Sequence, residues 1–66
     1  MEIIYQGKKA ETDAATVAEF LAGRGVRTIA ALVEYKGVAH SPGDDLSSLA
    51  LEEGAELNVF HMVAGG

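Results

Sequence analysis

The chain of 66 residues contains no cysteine and no tryptophan, and its single proline is Pro42. Without thiols there is neither a disulfide staple nor a thiolate metal site, which excludes a cross-linked secreted mini-protein. The same absence points to a reducing compartment, so the chain is expected in the cytoplasm. Long apolar runs are missing too. No stretch nears the roughly 18 apolar residues of a membrane span, and the opening MEIIYQ has no basic region followed by an apolar one, so neither export nor membrane insertion is expected. Positive charge is scarce: five Lys and Arg stand against ten Asp and Glu, for a net charge of -5. Phosphate backbones would be repelled, which argues against nucleic acid as a partner. The acidic surplus fits plain solubility or steering toward a basic patch on a protein partner, and charge does not choose between the two. At this length only about 60% of the unfolded surface is buried, so the core is thin and an enclosed reaction pocket is not expected.

What the chain does have is strand and turn chemistry around one short helix. MEIIYQ alternates and meets Gly7, which predicts a strand and a hairpin returning through Lys8 to Thr12. Thr16 and Glu19 form the S/T-x-x-E capping box, in which the threonine hydroxyl accepts from the Glu19 amide and the glutamate returns to the Thr16 amide. Val17, Phe20 and Leu21 then fall on one helical face, and Gly23 or Gly25 supplies the stop. A second hairpin is predicted from Thr28–Tyr35 through Lys36-Gly37 to Val38–His40. Ser41 to Asp45 is turn chemistry, Leu46 to Leu51 an irregular or single-turn crossing, and Glu56–Val63 the last strand. Met1, Ile3, Val17, Phe20, Leu21, Val33, Leu57 and Val59 are the expected core.

The most apolar strands lie at the two ends of the chain and should pair in the centre of the sheet. The hairpin and helix between them permit a right-handed parallel crossover. The fold class is therefore α+β, a mixed sheet of four to five strands with one helix packed across one face, the β-grasp or ubiquitin-like arrangement. Residues 1–63 are expected to form this domain and Ala64-Gly65-Gly66 a flexible tail.

That ending is the feature folding explains least. An idle tail or cloning remnant is one reading of Gly65-Gly66. The other is chemical: glycines pass through a narrow channel, and Gly66 would present an ionised α-carboxylate able to attack the α-phosphate of a nucleotide when a partner supplies metal and charge. Strand alternation adds a surface. With Leu57 and Val59 under the helix, Phe60 and Met62 face the other way, joined by Ile4, and an uncovered Phe and Met beside a reactive tail suit a partner-binding face.

The MEIIYQG opening, the hairpin at Glu34-Tyr35-Lys36-Gly37, the Leu-x-x-Gly turn ending at Gly54, and the strand running into Ala64-Gly65-Gly66 together resemble the ThiS family of sulfur carriers. The resemblance spans the whole chain. It implies a protein cosubstrate rather than an enzyme: a ThiF-like adenylating enzyme uses ATP to adenylate Gly66, a persulfide donor converts it to a thiocarboxylate, and thiazole synthase receives the sulfur for thiamine biosynthesis. Ala64 and Gly65 would be the residues that thread, and no cofactor would be bound. Lys36 stands where such carriers often have Asn, and Ala55 where Asp is usual. Related carriers for molybdopterin, tRNA thiolation or amino-acid sulfur assimilation share the tail, as do ubiquitin-like modifiers conjugated to lysines.

Other constellations are weaker. His40 and His61 near Asp44 and Asp45 lack metal-ligand spacing, so no metal site is assigned. Asp44-Asp45 reads as a cap on the crossing segment and Glu52-Glu53 as a solvated turn.

Overall fold

The computed structural model describes residues 1–61. The expected end of the last strand at Val63, Met62, and the tail of residues 64–66 lie outside them. The elements are β1 (Glu2–Tyr5), β2 (Lys8–Glu11), α1 (Val17–Gly23), β3 (Ala31–Tyr35), β4 (Val38–His40) and β5 (Glu56–His61), with a 3-10 turn at Thr28–Ala30 before β3. They build one sheet in the order β2-β1-β5-β3-β4. The terminal strands β1 and β5 pair in parallel, with Tyr5 opposite Leu57, and the other pairs are antiparallel. This is the β-grasp sheet that the strand order predicted.

The hairpin turns share one backbone solution. Gln6 and Gly7 take φ of 51° and 80°, Lys36 and Gly37 take 53° and 82°. Positive φ at both central residues is the type I′ turn, whose twist matches that of the flanking strands. Helix α1 is held at both ends. Thr16 Oγ1 accepts from the Glu19 amide at 3.1 Å, as expected, but the Glu19 carboxylate receives the amide of Ala15 rather than that of Thr16. The first helical amides, from Val17 and Ala18, donate to the carbonyls of Leu49 and Leu46. At the other end Gly25, at φ 74°, donates to Ala22 O and Val26 donates to Leu21 O, a Schellman closure.

Val17, Phe20 and Leu21 pack down on Ile3, Ala31, Val33, Tyr35, Leu57 and Val59, and Leu46 and Leu51 close the core from the crossing segment. That segment is irregular, yet it anchors two leucines and supplies the helix cap.

Three expectations are corrected. Met1 is not core but 41% exposed, because its ammonium group is tied to the Thr12 carbonyl at 2.9 Å and reaches Glu11 at the end of the hairpin. Strand β2 stops at Glu11, since Thr12 Oγ1 accepts the Ala14 amide and turns the chain. The strand expected from Thr28 begins only at Ala31. Ala30 donates to Arg27 O and Thr28 O accepts from Gly43, which coils these residues and leaves Ile29 at 71% exposure.

Candidate functional site

The candidate site lies on the uncovered face of the sheet and at the finishing end of β5. Alternation along β5 buries Leu57 and Val59 against α1 and sends Asn58 and Phe60 to the opposite face. Phe60 is 53% exposed there. The β3–β5 register sets Leu32 opposite Phe60 and Glu34 opposite Asn58, whose Nδ2 donates to Glu34 Oε1 at 3.1 Å. Ile4, opposite Glu56, is half-buried on the same face. The structure thus brings Ile4 and Phe60 to one side of the sheet as expected, and adds Leu32. Its signal was present in the alternation of Ala31-Leu32-Val33, but the strand's late start hid the register. Met62, Ala64, Gly65 and Gly66 lie outside the described residues.

The strand that carries this face is pinned on both sides. Strand β3 pairs with it as far as His61. On the other side β1 ends at Tyr5, and the Gln6 side chain continues the ladder, with Nε2 donating to Val59 O and the Val59 amide donating to Gln6 Oε1, each at 2.9 Å.

Basic residues that look dispersed along the sequence are gathered in space. Lys8, Lys9 and Arg24 border one hollow with Tyr5, Gln6 and Ala10. The Arg24 guanidinium lies over two rings, 5.2 Å from the Tyr5 centroid and 5.0 Å from that of Phe20. Among the described residues the ion pairs are Met1 to Glu11 and Lys36 to Glu52, so no carboxylate reaches these three cations.

The remaining candidates are absorbed locally. Asp44 accepts the Ser41 amide, and Asp45 accepts the amide and hydroxyl of Ser47, which together hold its carboxyl below the ordinary aspartate range, the hydroxyl contributing most. Glu52-Glu53 is more than a solvated turn. Glu53 accepts the Glu2 amide at 2.8 Å, and Glu52 bonds Lys36 and raises its pKa chiefly through that hydrogen bond. His40 lines an open, mostly apolar hollow of about 360 Å³ between β4 and the crossing segment, while His61 is exposed at the end of β5. No three potential metal ligands converge among the described residues. No described helix is long and apolar enough to cross a membrane.

No family model matches the chain, and no curated protein matches it in sequence. Among solved structures it superposes on the crystal structure of the thiamine biosynthesis protein ThiS from Geobacter metallireducens, with a TM-score of 0.80 and 21% identity over 100% of both chains. At that identity the likeness establishes the fold, a ThiS-like β-grasp domain of the same extent.

Proposed function

We propose that this chain is a sulfur carrier, a protein cosubstrate whose Gly66 carries sulfur for the thiazole step of thiamine biosynthesis. The observation that carries the reading is the setting of β5. In a ThiS-like fold, the strand that leads in sequence to Ala64-Gly65-Gly66 is the middle strand of the sheet, clamped between β1 with Gln6 on one side and β3 on the other. A rigid strand before a glycine ending delivers a carboxylate to another protein's active site at little cost in ordering.

The chemistry then belongs to partners. In a ThiF-like adenylating enzyme a Gly66 carboxylate oxygen attacks the α-phosphorus of ATP, and the bond to the β-phosphate breaks with release of pyrophosphate. The outer sulfur of a persulfide attacks the acyl carbon and expels AMP. A second thiol then takes the persulfide's inner sulfur into a disulfide and leaves the thiocarboxylate. Ala64 and Gly65 thread the channel, and Ile4 and Phe60, with Met62, form the docking face. Thiazole synthase, or another acceptor enzyme, removes the sulfur in the cytoplasm. ATP is the activating enzyme's substrate and not a ligand of this chain.

Intact mass spectrometry tests the reading. Incubation with the ThiF-like enzyme of the same genome, ATP and a persulfide donor should add the mass difference between sulfur and oxygen, and deletion of Gly66 should abolish it while the melting curve stays in place. Lysine-linked adducts in place of a thiocarboxylate would make the chain a modifier.

A further inference from the structure

The uncovered face of the sheet carries a polar pair beside its apolar residues. Glu34 on β3 stands opposite Asn58 on β5, one row of the face away from the Leu32–Phe60 pair. Side chains on one face recur every second residue, so the two rows are about 7 Å apart along the strands. Glu34 and Asn58 are both half-buried, and Asn58 Nδ2 donates to Glu34 Oε1 at 3.1 Å. A carboxylate only accepts, so the amide must present its nitrogen there, which keeps Asn58 Oδ1 as an acceptor. Among the described residues nothing donates to that Oδ1 or to Glu34 Oε2, and no cation pairs with Glu34.

The charge around this pair has one dominant sign. Ile3, Val33, Leu57 and Val59 turn toward α1, so the registers send Glu2, Glu11, Glu34 and Glu56 to the uncovered face, with Lys9 opposite Ile4. Lys9 lies on edge strand β2, three strand spacings from β3 and so at least about 14 Å across the sheet from Glu34. Lys36, at the β3–β4 turn, is bound to Glu52, and Glu11 is neutralised in part by the chain's ammonium group at 3.9 Å.

We infer that the uncovered face receives a basic partner segment, which sets an arginine against Glu34 and Asn58 and an apolar side chain against Leu32 and Phe60, one row nearer the end of β5. The partner's identity, the ThiF-like enzyme, rests on the sulfur-carrier reading, and the chemistry of the contact rests on the face. Net charge left plain solubility and steering toward a basic patch equal, but the placement of four glutamates on the strands of one uncovered face favours steering.

Two free acceptors side by side on neighbouring strands suit a guanidinium, whose planar N–H donors can bridge them, better than the point charge of an ammonium group. The pair is already fixed by its hydrogen bond, so it loses little side-chain freedom when a partner engages it. Once an apolar side chain covers Phe60, water leaves the adjoining row and the attraction between Glu34 and the arginine strengthens. A cross-strand Glu–Asn pair also helps to hold β3 to β5, but that role uses Oε1 and Nδ2 and leaves Oε2 and Oδ1 open. Because Asn58 belongs to the strand that leads to Gly66, an arginine engaged there also fixes the position of that strand against the partner.

Two measurements test the contact. Alternate residues of an extended peptide share a face, so acetyl-Leu-Ser-Arg-amide offers an apolar side chain and a guanidinium at the spacing of the two rows. Titrated into the 15N-labelled protein, it should shift the amides of Leu32, Glu34, Asn58 and Phe60, and the shifts should be lost in Glu34→Gln, whose side chain still accepts from Asn58. Unmoved amides overturn the proposal, as do equal shifts from acetyl-Leu-Ser-Glu-amide or an unchanged response in Glu34→Gln. In ATP–pyrophosphate exchange with the ThiF-like enzyme, Glu34→Gln should raise KM about tenfold with kcat within about twofold, and Asp13→Asn, the same charge change on the α1 side, should change neither. Exchange with an unchanged KM, or an equal rise from Asp13→Asn, overturns the contact and leaves the sulfur-carrier reading in place. If the arginine peptide titrates the face but the native chain supports no exchange, the basic-partner face stands and the sulfur-carrier reading falls.

Discussion

The carboxamide of Gln6 forms a two-way hydrogen-bonded bridge to the backbone of Val59, taking the place of the residue that β1 would need to continue its ladder. Strand β1 stops because Gln6 and Gly7 enter the left-handed region for the type I′ turn, and the Gln6 amide makes the last main-chain bond, to Leu57 O at 3.0 Å. Beyond it Val59 would show an unpaired N–H and C=O on that side. The side chain satisfies both and lengthens the doubly held part of β5 by two residues.

Replacing Gln6 with Ala should therefore loosen β5 locally while leaving the fold in place. The two lost bonds are half-buried, so the expected cost is about 1–2 kcal/mol. Hydrogen exchange is the sharper readout: the Val59 amide should exchange faster while the Gln6 amide, still bonded to Leu57, stays protected. Equal protection of Val59 in the variant would show that water replaces the bridge without loss.

Tyr35 makes the second such bridge. Its ring is buried at 5% exposure, and its hydroxyl donates to Ala50 O at 2.8 Å and accepts the Glu52 amide at 2.9 Å, fastening the crossing segment to β3. Tyr35→Phe keeps the packing but strands two backbone groups, so stability should fall by about 1–3 kcal/mol. Urea unfolding should show a lower midpoint at unchanged slope. No shift in the midpoint would mean that the segment is held by Leu46 and Leu51 alone.

Residues with strong local rules were legible in advance. The capping threonine, the glycines of the two hairpins, and the alternation of Leu57-Asn58-Val59-Phe60 each obey a constraint internal to a few positions, and together they fix the sheet and its helix. What stayed hidden depends on distant partners. Thr28-Ile29-Ala30 has strand-forming residues, but the Gly43 amide meets the Thr28 carbonyl and the segment coils. Leu46 and Leu51 looked like loop residues because an irregular segment has no period to betray a buried side. Of the candidate site, the face holding Ile4 and Phe60 could be read from alternation, whereas the convergence of Lys8, Lys9 and Arg24 exists only once the helix end meets the first hairpin.

Asp45 gives a pH prediction. Its bonds from Ser47 hold its carboxyl below the ordinary aspartate range, so the folded state prefers it ionised. That contribution to stability is fully present above the unfolded-state pKa and is lost as pH falls through the lower folded value. In Ser47→Ala the hydroxyl, the larger cause, is gone, and the Asp45 titration followed by NMR should move upward toward the ordinary value. A titration that does not move would assign the depression to the Ser47 backbone amide alone.

The uncovered face makes the most demanding prediction. Phe60 is more than half exposed opposite Leu32, so folding gains little from its ring, and a change there should leave stability within about 1 kcal/mol. Binding to the ThiF-like enzyme should nonetheless weaken more than tenfold, at least about 1.4 kcal/mol, if the ring is an anchor of the docking face. Testing Phe60→Glu and Phe60→Lys side by side separates two causes. The loss of apolar burial penalises both signs alike, whereas a partner's field acting on the new charge would penalise one sign and spare the other. Equal weakening by the two variants therefore identifies the ring itself as the contact. Weakening by one sign alone would mean that Phe60 lies beside the interface and feels only its field, and unchanged binding by both would move the interface off this face.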